Sequence, residues 1–206
     1  HLSLRRQRQM CIRDSNGTLD KYIGDAIVAF YGAPIDVKDH ELWACRTAIK
    51  MQENLGILRK GWQAEGNRWP EIVHNMQNRI GISSGNMVTG NMGSEARMNY
   101  TMMGDNVNTA ARLESSAKQY GIYIQIADST YQPVKDKVVV RDLDYVRVMG
   151  KNEPVKVFEL ISEVGQEPEN YKKILPAYHE ALNLYKNQEW EKAIEAFKAS
   201  DELEDM

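Results

Sequence analysis

Cysteine is scarce in this chain of 206 residues. Cys11 and Cys45 stand alone, in no CxxC spacing and with no histidine at metal-ligand spacing, which excludes a disulfide scaffold and fits a reducing compartment. Positive charge is not in excess either. The 26 Lys+Arg against 29 Asp+Glu leave a formal net charge of -3, so no overall field draws a phosphate backbone and nucleic acid is not the expected partner. Long apolar runs are missing: the longest, Ala26 to Tyr31, falls far short of the roughly 20 residues a membrane helix needs. There is no GxxxxGK(S/T) phosphate loop and no HExxH zinc motif. His40, His74 and His179 are scattered and read as ordinary surface or core imidazoles.

What is present, 42% hydrophobic and 27% charged residues, describes one ordinary folded domain with a small appendage. Residues 1–15 carry Arg5, Arg6, Arg8 and Arg13 among Gln and Ser without evident periodicity, and are expected to be an unstructured, non-native leader. From Asn16-Gly17 onward, Leu19, Tyr22 and Ile23 lead to Gly24-Asp25 and then Ala26 to Tyr31, a pattern that predicts a β-hairpin with Gly24-Asp25 at its tip. Asp39 is placed to cap a helix bearing Leu42, Cys45, Ala48 and Ile49, with a loop marked by Gly61 and Gly66. Residues 78–85 and 86–90 read as two short strands around a glycine turn. Asp105 is placed to cap a second helix, residues 106–120, with an apolar stripe of Val107, Ala110, Leu113 and Ala117. Strand patterns return at residues 122–127, 138–140, 145–149 and 155–161. Blocks of helix alternating with paired strands predict an α+β sandwich of the ferredoxin-like kind. Residues 166–206 read as charged and helical, with Ala181-Leu182, Tyr185, Trp190, Ala193-Ile194 and Phe197 resembling a tetratricopeptide-type helical hairpin that either packs on the preceding domain or continues beyond Met206.

Three constellations carry chemistry. Lys21 and Asp25 put an amine and a carboxylate four residues apart on one hairpin, beside a glycine that lets a backbone or phosphate approach. Asn108 and Arg112, at i and i+4, project from one helix face, opposite the stripe that meets the core. Between them lie Gly81-Ile82-Ser83-Ser84-Gly85, Gly90-Asn91-Met92-Gly93-Ser94 and the run Asn99 to Asp105.

In their strings GTLDKYIGDAIVAFYGAP, RIGISSGNMVTGNMGS and RMNYTMMGDNVNTAARLE, residues 17 to about 161 resemble the catalytic domain of bacterial-type class III nucleotidyl cyclases. The resemblance implies a ferredoxin-like palm over residues 16–162, working as a head-to-tail homodimer with its sites at the interface. It implies that Asp25 is a metal-binding aspartate for Mg²⁺ or Mn²⁺, and that Lys21 and Thr101 choose the purine. Asn108 then orients the ribose, and Arg112 neutralises charge on the α-phosphoryl group. Lys21 can only donate a hydrogen bond, which fits the N1 acceptor of adenine, so ATP is the expected substrate and cyclic AMP the product. The alternatives are a guanylate cyclase, whose relatives would be expected to carry Glu where Lys21 stands, and a catalytically impaired nucleotide-binding regulatory domain. A cytoplasmic setting, where ATP is, or the cytoplasmic side of a membrane that anchors a longer parent chain, follows from the same resemblance.

Two departures from the family pattern matter. The strand bearing the first metal aspartate, and the two helices after it, have no match ahead of Gly17, and Asp14 is too close to Asp25 to replace that residue. Little or no cyclase activity is therefore expected of these 206 residues alone. In addition, Val148-Met149-Gly150-Lys151 resembles a family segment that carries a triphosphate-binding lysine where Met149 stands, so either Lys151 substitutes for that lysine or affinity for ATP is reduced.

Overall fold

A computed structural model describes residues 2–147 and 154–204. The α+β architecture expected from the alternation of elements is present, and its core is a four-stranded sheet in the order β3-β6-β8-β7. These strands are β3 (Ile80–Ile82), β6 (Ile124–Ala127), β7 (Val138–Val146) and β8 (Val155–Glu163). The β3–β6 pair is parallel, and β8 runs antiparallel to both β6 and β7. Two hairpins stand apart from it, β1 (Thr18–Ile23) with β2 (Ala26–Phe30), and β4 (Val88–Ser94) with β5 (Arg97–Met103).

Both faces of the sheet are covered, so the central strands lose the polar face of a half-exposed strand. All four residues of β6 are buried. Ile124 and Ile126, with Phe158 and Leu160 of β8, pack against Leu42, Cys45 and Ala48 of α2 (His40–Ala64). On the other face Ala127 and Val157 pack against Leu113 of α4 (Asp105–Ser116), and the buried Gln125 accepts a hydrogen bond from Ser116 at 2.8 Å. The three-and-four spacing read in the sequence is thus the spacing of two helices gripping one sheet. Two short helices, α3 (Glu71–His74) and α5 (Asp128–Tyr131), fill the connections.

Asp105 does not cap α4 but is its first residue, with Gly104 in the cap position, and four further local expectations need correction. Residues 1–15 are not an unstructured leader: Leu2–Asp14 form a helix, α1. Leu4 is buried with Leu55 and Trp62, while Cys11 and Ile12 are buried beside Leu19, Ile27, Ala29, Met51 and Ile80. Leu4, Cys11 and Ile12 are spaced i, i+7, i+8, a helical stripe hidden among arginines. The same contacts carry α2 through Gly61, where a loop was expected, because burying Leu55 and Trp62 outweighs the roughly 1 kcal/mol cost of a helical glycine. Residues 78–85 and 86–90 do not pair with each other; β3 joins the main sheet and β4 pairs with β5, which the sequence pattern did not reveal. The strands expected at 138–140 and 145–149 merge as far as Val146 into one strand, β7, kept continuous by two register shifts against β8, while residues 148–149 lie outside the described residues.

The helical tail is present as α6 (Tyr171–Lys186) and α7 (Trp190–Glu204). It docks on β7: Lys186 pairs with Asp142 at 3.3 Å, Arg141 stacks 5.2 Å over the Tyr178 ring, and Arg141 pairs with Glu204.

Candidate active site

The hairpin β1–β2 turns at Gly24, whose φ of 62° lies in the left-handed region that glycine enters at no steric cost. Asp25 follows it, exposed at the tip as expected. Helix α1 braces this tip from behind. Arg5 donates to the Gly24 carbonyl at 3.2 Å and Arg8 to the Asp25 carbonyl at 3.0 Å, which leaves the Asp25 carboxylate facing solvent. Arg8 also reaches Asn78 at 3.4 Å, just ahead of β3, so one guanidinium ties the hairpin to the sheet. Burial lowers the Arg8 pKa, and the nearby Asp25 charge works against that shift.

Lys21 of β1 and Thr101 of β5 are brought together although they are far apart in the chain: Lys21 Nζ donates to Thr101 Oγ1 at 3.0 Å. A third residue completes the group. Thr101 Oγ1 donates to Asp20 Oδ2 at 2.9 Å, and Lys21 Nζ lies 3.3 Å from the same oxygen. Asp20 does not stand out in the sequence, because strand alternation points neighbouring residues to opposite faces. The signal that could have found it is the carboxylate adjoining Lys21.

Asn108 and Arg112 are exposed on α4, the helix that begins directly after β5. Close backbone contact seats that helix on the sheet: a Cβ on Gly81 would lie 2.1 Å from the Ala110 carbonyl oxygen and 2.4 Å from the Glu114 nitrogen. At Gly85 a Cβ would lie 2.2 Å from Asn106 Nδ2, a side-chain atom that would have to turn aside. Ser83 donates to Asn106 Oδ1 at 3.2 Å. Residues Gly81 to Gly85 have the G-x-S-x-G spacing of a nucleophile elbow, but this hydrogen bond makes Ser83 part of the helix seat. Lys151 and Met149, singled out in the sequence, lie outside the described residues.

Asp25 offers one hard carboxylate, the donor type that Mg²⁺ and Mn²⁺ prefer, and a nucleotide-bound Mg²⁺ characteristically takes only one or two carboxylates besides phosphate and water. Among the described residues no group of three or more His, Cys, Asp or Glu side chains is placed to hold a metal ion. Asp25 therefore fits as part of a site that phosphate oxygens and a further ligand must complete.

Similarity to known proteins points the same way. The family model "Adenylate and Guanylate cyclase catalytic domain" matches residues 9–162. The terminal-differentiation-specific adenylate cyclase of Dictyostelium discoideum is 34% identical over 196 residues, 93% of this chain and 9% of that protein. Adenylate cyclase 1 of Rhizobium meliloti is 32% identical over 149 residues, 72% of this chain and 22% of that protein. The chain thus spans less than a quarter of the length of either relative. Among solved structures, the adenylyl cyclase CyaB from P. aeruginosa superposes with a TM-score of 0.66 at 28% identity, covering 81% of this chain and 82% of that one. The guanylyl cyclase Cya2 does so with a TM-score of 0.66 at 28% identity, covering 79% of each.

Proposed function

The chain belongs to the adenylate and guanylate cyclase catalytic-domain family, and from that premise we propose that residues 16–162 are the catalytic domain of an adenylate cyclase, with residues 166–206 a helical extension. The reaction is intramolecular. The ribose 3′-hydroxyl gives up its proton to solvent as its oxygen attacks the α-phosphorus of ATP, a new P–O bond forms, and pyrophosphate leaves with the electrons of the broken bond. The product is 3′,5′-cyclic AMP.

The observation that carries this reading is the hydrogen bond between Lys21 and Thr101. It assembles an ammonium that only donates and a hydroxyl with a free lone pair, the complement of adenine N1 and its 6-amino group. Guanine presents an N1–H donor and a 6-oxo acceptor, so an ammonium at N1 meets a donor with a donor. The guanylyl cyclases among the structural neighbours make guanine the natural competitor, and Lys21 is the residue that argues against it.

With the base held there, Asn108 orients the ribose, and Arg112 supplies positive charge where the α-phosphoryl oxygens gain negative charge. Asp25 would help to hold a divalent ion, Mg²⁺ or Mn²⁺, which would add to the neutralisation of the triphosphate when bound. Catalysis is mostly positioning, since an attacking group already covalently part of the substrate needs only the right geometry. Asp25 comes from one copy of the chain and Arg112 from a second, in a head-to-tail homodimer that closes on one nucleotide. Supporting this, Ile23, Val88, Met98 and Met103 leave large apolar side chains exposed on the two hairpins that carry the base-binding pair. No helix among the described residues is long and apolar enough to cross a membrane, and the proposed place of action is the cytoplasm, where ATP is abundant.

The test is to incubate the full-length protein with Mn²⁺ and either ATP or GTP and to measure cyclic AMP and cyclic GMP. A higher kcat/KM for ATP is expected. A preference for GTP, or no cyclic nucleotide from either, overturns the proposal.

A further inference from the structure

Asp20 sits where a regular strand would not let it act. Leu19 pairs with Ala29 but Lys21 pairs with Val28, so the register slips by one and Asp20 is the extra residue of a β-bulge. A bulge re-aims side chains that alternation would send to opposite faces. Here both Asp20 and Lys21 reach Thr101. Their surroundings differ sharply: the Lys21 side chain is 49% exposed and the Asp20 side chain 2%. Asp20 is therefore not a residue that an arriving nucleotide touches.

What it touches is the proton of Thr101. A threonine hydroxyl has one hydrogen to give and two lone pairs to accept with, and alone it serves a donor or an acceptor equally well. In this structure the hydrogen points at Asp20 Oδ2, 2.9 Å away. One lone pair takes a hydrogen from Lys21 at 3.0 Å. Asp20, paired with the Lys21 ammonium at 3.3 Å, is a carboxylate and only accepts. The hydroxyl is thereby left with a single lone pair to offer, and toward any ligand it is an acceptor only. At the equivalent ring position adenine carries an amino donor and guanine a carbonyl acceptor.

We propose that Asp20 is a positioning residue for substrate choice: from beneath the site it fixes the direction of the Thr101 hydroxyl proton, and so makes Thr101 select a 6-amino purine over a 6-oxo purine. This rests on the adenylate cyclase reading above and adds to it the group that turns an ambivalent hydroxyl into a discriminating one.

The experiment measures kcat/KM for ATP and for GTP with Mn²⁺ in the full-length protein and its variants, with thermal unfolding recorded on each sample. Asp20→Asn keeps the shape but can donate to Thr101, which frees the hydroxyl proton. The ATP-to-GTP ratio is expected to fall at least about tenfold, mainly through KM. Asp20→Glu, still acceptor-only, is expected to hold the parent's ratio. Should Asp20→Asn fail to fold, Asp20→Ser, small and ambivalent, carries the same expectation. In a Thr101→Val background, Asp20→Asn is expected to change the ratio no further. A residue that merely supports the fold would lower both substrates in proportion. An ATP-preferring parent whose ratio is unmoved by Asp20→Asn, or moved equally without the Thr101 hydroxyl, overturns the role of Asp20 alone. A parent that prefers GTP overturns the adenylate cyclase reading itself.

Discussion

Replacing Gly81 with alanine tests whether the seat of α4 controls the chemistry proposed for its exposed face. The new Cβ would lie 2.1 Å from the Ala110 carbonyl oxygen and 2.4 Å from the Glu114 nitrogen, both backbone atoms that no rotamer change can move. Relief requires α4 to withdraw by roughly 1 Å, and overpacking of this kind costs about 1–3 kcal/mol. For a chain of this size that lowers the unfolding midpoint by roughly 4–8 °C, taking the middle of that range. The same withdrawal carries Asn108 and Arg112 with it, and a 1 Å misplacement of catalytic groups costs on the order of a hundredfold in rate. Gly56, inside α2 with nothing within 4 Å of a Cβ, is the control. Gly56→Ala is expected to stabilise by about 0.5–1 kcal/mol and leave activity alone. The assays are calorimetry and cyclic AMP formation per folded molecule in the full-length protein. Loss of stability with full activity per folded molecule would refute the link between the helix seat and catalysis. An unshifted midpoint would refute the packing argument itself.

Other outcomes follow from the same contacts. Arg112→Ala is expected to lower kcat about a hundredfold while ATP binding is nearly kept, as for loss of one electrostatic stabiliser, and equal turnover would reject the assignment. Burial pushes the Tyr31 phenol, which donates to Thr47 at 2.7 Å, and the Cys45 thiol each up to about 12. Folding favours the neutral forms of both, so their contribution is whole below pH 9 and is lost as the pH climbs from there toward 12. Urea midpoints should fall steeply over that window in the parent and less steeply in Tyr31→Phe. That variant also loses about 1 kcal/mol at neutral pH with the hydrogen bond to Thr47. Arg141 grips the buried Glu159 at 2.8 Å and also pairs with Glu204 of the tail. Burial raises the Glu159 pKa and Arg141 holds it back. Arg141→Ala should therefore cost about 3 kcal/mol at neutral pH, a deficit that narrows on acidification as Glu159 binds a proton. It should also speed proteolysis between β8 and α6, and a tail as resistant as the parent's would show that this pair does not hold it.

Much of the molecule was legible before any coordinates. The stripes Leu42-Cys45-Ala48 and Leu113-Ala117 announced two helices packed on a sheet, because helical periodicity is written locally. The turn at Gly24-Asp25 announced the hairpin, since a left-handed residue is needed there and glycine supplies it. Lys21, Asp25, Asn108 and Arg112 stood out through their spacing and the strings around them. Tertiary structure alone decided the rest. That β3 and β4 belong to different sheets depends on which partner each strand finds, and neighbouring residues do not encode the partner. Helix α1 exists because Leu4, Cys11 and Ile12 have Leu55, Met51 and Ile80 to bury against. Asp20 reaches Thr101 only through a one-residue slip between two strands. Period-two alternation is a property of one strand, whereas a bulge is a property of the pair, so the carboxylate adjoining Lys21 is visible in the sequence but the direction of the Thr101 hydroxyl proton was settled by folding.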